Sequence, residues 1–161
     1  MLIVFLTLLV LGFSKLKIKN LLSLNCIVEF PVIIAFSILF LFLLSSSYDF
    51  FGIYLAMEGL SLTLYVLASM THQGIVSIEA SIKYFSLGAI SSGIFLFGIS
   101  ILFGLVGSLD FLEIQIFLSN SQFLNSILEI KIALLCILFG FFFKVSAFPC
   151  HIWVVDVYEG I

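Results

Sequence analysis

The chain has 161 residues, of which 63% are hydrophobic and only 9% charged, with a mean hydropathy of +1.38. Soluble domains carry about 25% charged and roughly 45–50% apolar residues, so a water-soluble globular fold is excluded. Six lysines, no arginine and nine acids give a formal charge of -3, which excludes the dense basic surface of a nucleic-acid binder.

A membrane-spanning helix needs about 20 mostly apolar residues, and lipid supplies no water for open backbone groups. The sequence has no long alternating β pattern. The expected fold is therefore all-α: an integral membrane helix bundle, with residues 1–161 as a single membrane domain. Residues 1–14 form a short apolar run followed by Lys15, Lys17 and Lys19. A signal peptide would place its basic residues before the apolar run and end in a small-residue cleavage site. The run is read instead as a short or tilted membrane helix. The lysine cluster sets the orientation by the positive-inside rule: N-terminus outside, lysines inside. Further spans are expected over 29–47, 49–70, 80–106 and 127–148. Alternation places 71–79 inside and 107–126 outside. The outer segment carries Asp110 and Glu113 without lysine and is read as a loop with some local structure. Residues 149–160 are too short and polar to span alone.

The informative residues are ionisable groups within these spans. Each costs about 2.5–3.5 kcal/mol at the bilayer centre unless it faces protein or water. Glu58 lies mid-span, on one helix face with Tyr54, Ser61 and Tyr65. Such a stripe faces the bundle interior, where Glu58 serves either a functional role or a structural one, hydrogen-bonded by Ser and Tyr. Lys144 lies near the end of 127–148, where Gly140, Lys144, Ala147 and His151 would share a face if the helix continued. Pro149 forbids continuation, because it lacks an N–H and clashes with the carbonyl of Val145. A helix broken at membrane depth is tolerated where it is buried or lines a cavity. A hydrated ion path and a lysine snorkelling past a helix end remain equally open. Lys83, near the start of its span, suits snorkelling. The run Gly88 to Gly93 permits close helix packing and is read as scaffold, Ser91 and Ser92 included. Glu129 and Lys131 are assigned to the interface, as are the aromatics Trp153 and Tyr158. His72 falls in a loop. Cys26, Cys136 and Cys150 form neither a CxxC pair nor a ligand cluster, so no disulfide framework and no metal site are expected.

Three stretches carry a resemblance: AMEGLSLTLY at 56–65, EASIKYFSLGAISSGIFLFG at 79–98 and GFFFKVSAFPCHIWVVDVYEG at 140–160. In this order and spacing they resemble the antiporter-like subunits of respiratory complex I, of the NADH dehydrogenase subunit 2 or subunit-N type. The resemblance implies the first half of an antiporter-like inverted-repeat fold, with a broken helix near Pro149. It implies that Glu58 is the carboxylate of the family's fifth helix, ion-paired to Lys144 as the lysine of the broken seventh. It makes Lys83 the sixth-helix lysine near the hydrophilic axis, and His151 a candidate in the proton path beyond the break. The match before residue 29 is poor.

The function so implied is that of a proton-translocating membrane-arm subunit of mitochondrial NADH:ubiquinone oxidoreductase. The chain shows no nucleotide motif, iron–sulfur ligand set or flavin site. NADH, FMN, iron–sulfur clusters and ubiquinone are expected elsewhere in the complex. Abundant Phe, Ile and Leu, with lysine as the only strong cation and no arginine, resembles translation from an A+T-rich organellar genome, which points to the mitochondrial inner membrane. Family members continue past the stretch ending at Gly160, so a split subunit is expected, with a separate chain supplying the C-terminal helices. The other expected partners are membrane-arm subunits and lipid. Two alternatives stay open: a structural membrane subunit that does not pump, and a cation/proton antiporter subunit of the same ancestral fold.

Overall fold

The computed structural model describes residues 26–70, 75–119 and 127–160. The expected helix over 1–14, its lysine cluster and His72 lie outside the described residues. Within them the fold is all-helical: α1 (Cys26–Ser46), α2 (Phe50–Ser69), α3 (Ile75–Val106), α4 (Phe111–Ser119), α5 (Ile127–Val145) and α6 (Ile152–Gly160).

α3 is the axis of the bundle. α2, α5 and α6 each pack along it, α4 touches it at one end, and α1 packs on α2. α3 has 32 residues, about 48 Å at 1.5 Å per residue, against a hydrocarbon core of about 30 Å. It starts earlier than the apolar pattern indicated, because Glu79 belongs to the helix and pairs with Lys83 one turn on, at 2.9 Å. Glu preceding Lys by four residues is the favourable order along a helix.

Among the described residues, three helical stretches are long and apolar enough to cross a membrane: Glu29–Ser46, Phe50–Ser69 and Ser77–Val106. Four such spans were expected over this region. The 19-residue α5 falls short as a simple apolar span because it carries Glu129, Lys131 and Lys144. At about 28 Å it still matches the hydrocarbon thickness.

The ends of the helices follow local chemistry. Asp49 caps α2, its carboxylate accepting from the Gly52 N–H at 2.8 Å. The segment before α4 joins this cap: the Phe50 N–H donates to the Leu109 carbonyl and the Phe111 N–H to the Tyr48 carbonyl, at 3.2 and 3.3 Å. The α1–α2 turn and the α3–α4 connection thus share one end of the bundle, as alternating spans require. α3 stops at Gly107, whose φ of 82° is the left-handed conformation that glycine adopts without cost. Its N–H closes back on the Phe103 carbonyl at 2.8 Å, the single-bond αL cap. The region expected to be an outer loop contains the helix α4, held by Ile114 in the core and by the Phe111 ring edge-on to Phe50 at 4.8 Å.

The core lies between α2, α3 and α5: Met57, Phe95, Ile99, Leu102, Ala133 and Ile137. Helices approach closely where one of them lacks a side chain. A Cβ on Gly98 would meet the Ala133 carbonyl oxygen at 2.8 Å and the Cys136 Cβ at 2.9 Å. Gly93, in the small-residue run itself, faces open space. The run therefore contributes less to the α3–α5 crossing than Gly98, one and a half turns on.

This difference predicts opposite outcomes for two similar substitutions. Gly98→Ala pushes against backbone and costs about 1–3 kcal/mol, whereas Gly93→Ala gains up to about 1 kcal/mol of helix propensity. Thermal unfolding of the detergent-solubilised protein will show a lowered midpoint for the first and an unchanged or raised one for the second.

Candidate functional site

The expected polar stripe on α2 turns inward. Ser61 and Tyr65 are buried, and Tyr54 and Glu58 half-buried. The Lys144 ammonium donates to Oε1 of Glu58 at 3.0 Å, joining α5 to α2, with the two side chains 18% and 23% exposed. The hydroxyl of Ser61 donates to the backbone carbonyl of Glu58 at 2.9 Å, not to the carboxylate. The anionic group is thus held by the lysine and not by the serine of its own stripe.

Phe95 of α3 forms the wall beside the pair. Its ring stacks on Tyr54 of α2 with centroids 6.1 Å apart and meets Phe141 of α5 edge-on at 5.0 Å. Gly140 admits this ring, since a Cβ there would lie 2.6 Å from it. Farther along α3, the Tyr65 hydroxyl sits against Gly88. α2 and α5 are thereby fixed on the same stretch of α3, one turn apart from the Glu58–Lys144 contact. At about 4 Å and an effective dielectric near 20, opposite unit charges attract by about 4 kcal/mol. Removing one partner of a buried pair strands the other charge, which costs more than the pair itself contributes.

The break after Lys144 is made at Ser146. α5 ends at Val145, the residue whose carbonyl Pro149 is unable to serve. Ser146 then turns left-handed with φ 59°. Its N–H donates to the Phe143 carbonyl at 3.1 Å, and the Ala147 N–H to the Phe142 carbonyl at 2.8 Å, the two bonds of a Schellman cap. The helix thus ends three residues before the expected boundary at 148. The Phe148–Pro149 bond is cis. Beyond it, α6 returns to the bundle on Trp153, whose indole lies between Tyr84 at 4.6 Å and Phe143 at 5.2 Å, nearly parallel to both. Trp153 is therefore not the interfacial aromatic expected from its position near a span end. Being only 8% exposed, it is a core residue, whereas Tyr158 is exposed.

The remaining candidates stand apart from the pair. Lys83 bonds Glu79 on its own helix, and both side chains are more than half exposed, which suits a lysine in the first turns of a helix longer than the hydrocarbon core. His151 is exposed in the turn before α6, its ring 5.8 Å from that of Phe148. The break swings it off the face that Gly140 and Lys144 share. Among the described residues, no cluster of three or more His, Cys, Asp or Glu is placed to hold a metal ion. One residue read as scaffold has a different character here. Ser91, 1% exposed on α3, keeps its hydroxyl without a hydrogen-bond partner.

Comparison with known proteins places this geometry in context. Residues 47–161 match the family described as NADH:quinone oxidoreductase/Mrp antiporter, TM. The chain is 44% identical over 134 residues to NADH-quinone oxidoreductase subunit N of Bartonella bacilliformis, covering 83% of this chain and 27% of that protein. Among solved structures it is similar to a chain of respiratory complex I from Thermus thermophilus, with a TM-score of 0.68, 33% identity and coverage of 81% of this chain and 28% of that one. A chain of an archaeal membrane-bound sulfane sulfur reductase aligns with a TM-score of 0.72 at 26% identity, over 82% of this chain and 26% of that one. The chain thus spans about a quarter of the length of these relatives.

Two stability measurements follow from the site. A double-mutant cycle of Glu58→Gln and Lys144→Met, read by thermal unfolding, will give a coupling energy of about 1–3 kcal/mol, with each single variant less stable than the double variant requires by additivity. Ser146→Gly removes left-handed strain and raises stability by about 1 kcal/mol, whereas Ser146→Val lowers it.

Proposed function

This chain belongs to the NADH:quinone oxidoreductase/Mrp antiporter transmembrane family, and we propose that it supplies the Glu58–Lys144 pair of a proton-translocating half-channel in the membrane arm of an NADH:quinone oxidoreductase. The observation that carries this reading is the pair itself: two charges on different helices, 3.0 Å apart and mostly buried, beside a helix break. The similarity to subunit N supports the oxidoreductase branch of the family over its antiporter branch.

In this reading the pair is an energy store. Its attraction of about 4 kcal/mol compares with about 2.3 kcal/mol for moving one charge through 100 mV. Closing or opening the contact is therefore commensurate with moving a proton against roughly 170 mV. While closed, the carboxylate holds the ammonium. When it opens, the ammonium is left without a counter-ion in a low-dielectric setting, a cost that proton release relieves. Lys83 and His151 are proposed to lie along the route to and from the pair. Pro149 keeps a helix interruption next to Lys144, where backbone groups and water can meet the charge. The chain carries no redox step: NADH, FMN, iron–sulfur clusters and the quinone act in other subunits, and the energy reaches the pair through the complex.

The composition, with lysine as the only strong cation, supports an organellar origin and hence the mitochondrial inner membrane. The proposed partners are the other membrane-arm subunits, lipid, and a separate chain bearing the helices that complete the path.

Activity measurements on the assembled complex test this. Glu58→Gln or Lys144→Met will cut proton translocation in proteoliposomes by tenfold or more, the scale of about 1.4 kcal/mol or above. NADH oxidation by artificial acceptors at the flavin site will be unchanged. Normal pumping by complex carrying both substitutions would refute the reading.

A further inference from the structure

Six serines inside these helices behave alike, and Ser91 does not. Ser37, Ser61, Ser81, Ser86, Ser92 and Ser100 each donate to the carbonyl three residues earlier, at 2.7–3.0 Å. This back-bonding is the default that satisfies a hydroxyl where no water is available. Ser91 does not adopt it. Its Oγ is buried and makes no hydrogen bond. A buried hydroxyl left so costs about 1–3 kcal/mol, and in native proteins such a group usually marks an ordered water or a functional contact.

The register of the helices shows what Ser91 faces. Phe95, one turn along the same face of α3, touches Tyr54 of α2 on one side and Gly140 and Phe141 of α5 on the other. Gly88, nearly one turn in the other direction, receives Tyr65 of α2. Ser91 lies between these levels. On α2 the stripe residues between Tyr54 and Tyr65 are Glu58 and Ser61, and Ser91 falls at the level between them. On α5, antiparallel to α3, one turn beyond Gly140 is Lys144. This register puts the orphan hydroxyl at the level of the ion pair, on the α3 face that carries Phe95 between α2 and α5. An ammonium has three donors, and the hydrogen bond found for Lys144 is the one to Glu58.

We propose that Ser91 is a positioning residue that anchors a buried water molecule against the Glu58–Lys144 pair. The water accepts from the ammonium and exchanges a hydrogen bond with the Ser91 hydroxyl. Buried waters typically make two to four such bonds to otherwise unsatisfied groups. In the closed state this water completes the shell of Lys144. As the pair opens, it keeps the ammonium solvated on the α3 side, so the charge has a defined place to go. The inference rests on the pair being the working part of the site.

The test uses the assembled complex that contains this chain. A high-resolution cryo-EM map will show a water within about 3.2 Å of both Ser91 Oγ and Lys144 Nζ. That water will be lost in Ser91→Ala and kept in Ser91→Thr. Ser91→Ala will slow proton translocation roughly tenfold, the effect of one hydrogen bond to a charged group, with the quinone KM unchanged, and Ser91→Thr will restore most of the rate. A dry contact at Ser91 in the unsubstituted complex, or wild-type pumping by Ser91→Ala, overturns the assignment. If Glu58→Gln stops pumping and Ser91→Ala does not, the role of Ser91 falls and the pair stands. If Glu58→Gln pumps normally, the pair falls, and the positioning role of Ser91 falls with it.

Discussion

A carboxylate and an ammonium in a medium without water each require the other, and this requirement organises the bundle. Glu58 and Lys144 sit on helices that make little backbone contact with one another; both are carried by α3. For the charges to meet at 3.0 Å, α3 has to hold α2 and α5 at fixed height and rotation. The Phe95 ring does this from one side by touching both helices, and Gly140 leaves the room for it. Dispersion contacts that would be unremarkable elsewhere here set the geometry of a charge pair, whose energy changes steeply with distance.

The helix break serves the same end. An uninterrupted α5 would carry His151 onward along the face of Lys144. Instead the chain turns at Ser146, closes its last carbonyls internally, and brings α6 back under Trp153 between Tyr84 and Phe143. The backbone around Lys144 is therefore satisfied without forming a continuous helix. Residues 47–161, which match the family, include this region.

Some features were legible residue by residue. Gly107 ends α3 where the apolar pattern ended, because glycine alone takes a left-handed φ freely. Pro149 announced an interruption, and Val145, four residues earlier, is the last helical residue, as the missing N–H demands. The left-handed turn at Ser146 was not legible, since serine has no local preference for that conformation strong enough to mark it. Trp153 was misread for a related reason. Near a span end, an aromatic suits the interface by composition, and only the return of α6 onto Tyr84 and Phe143 buries it. Lys83 and His151 carry motif positions identical in kind to Lys144, yet only Lys144 lies against Glu58.

By itself the sequence determined the class of the fold, the membrane setting and the two residues that form the ion pair. These follow from apolar content, from the cost of charge in lipid and from a motif, all of which are properties of the chain read locally. Which glycine lets two helices touch and which buried serine is left without a partner were decided only by tertiary structure. Each depends on the relative height and rotation of helices far apart in sequence, and those are fixed by packing against α3, which no local pattern encodes.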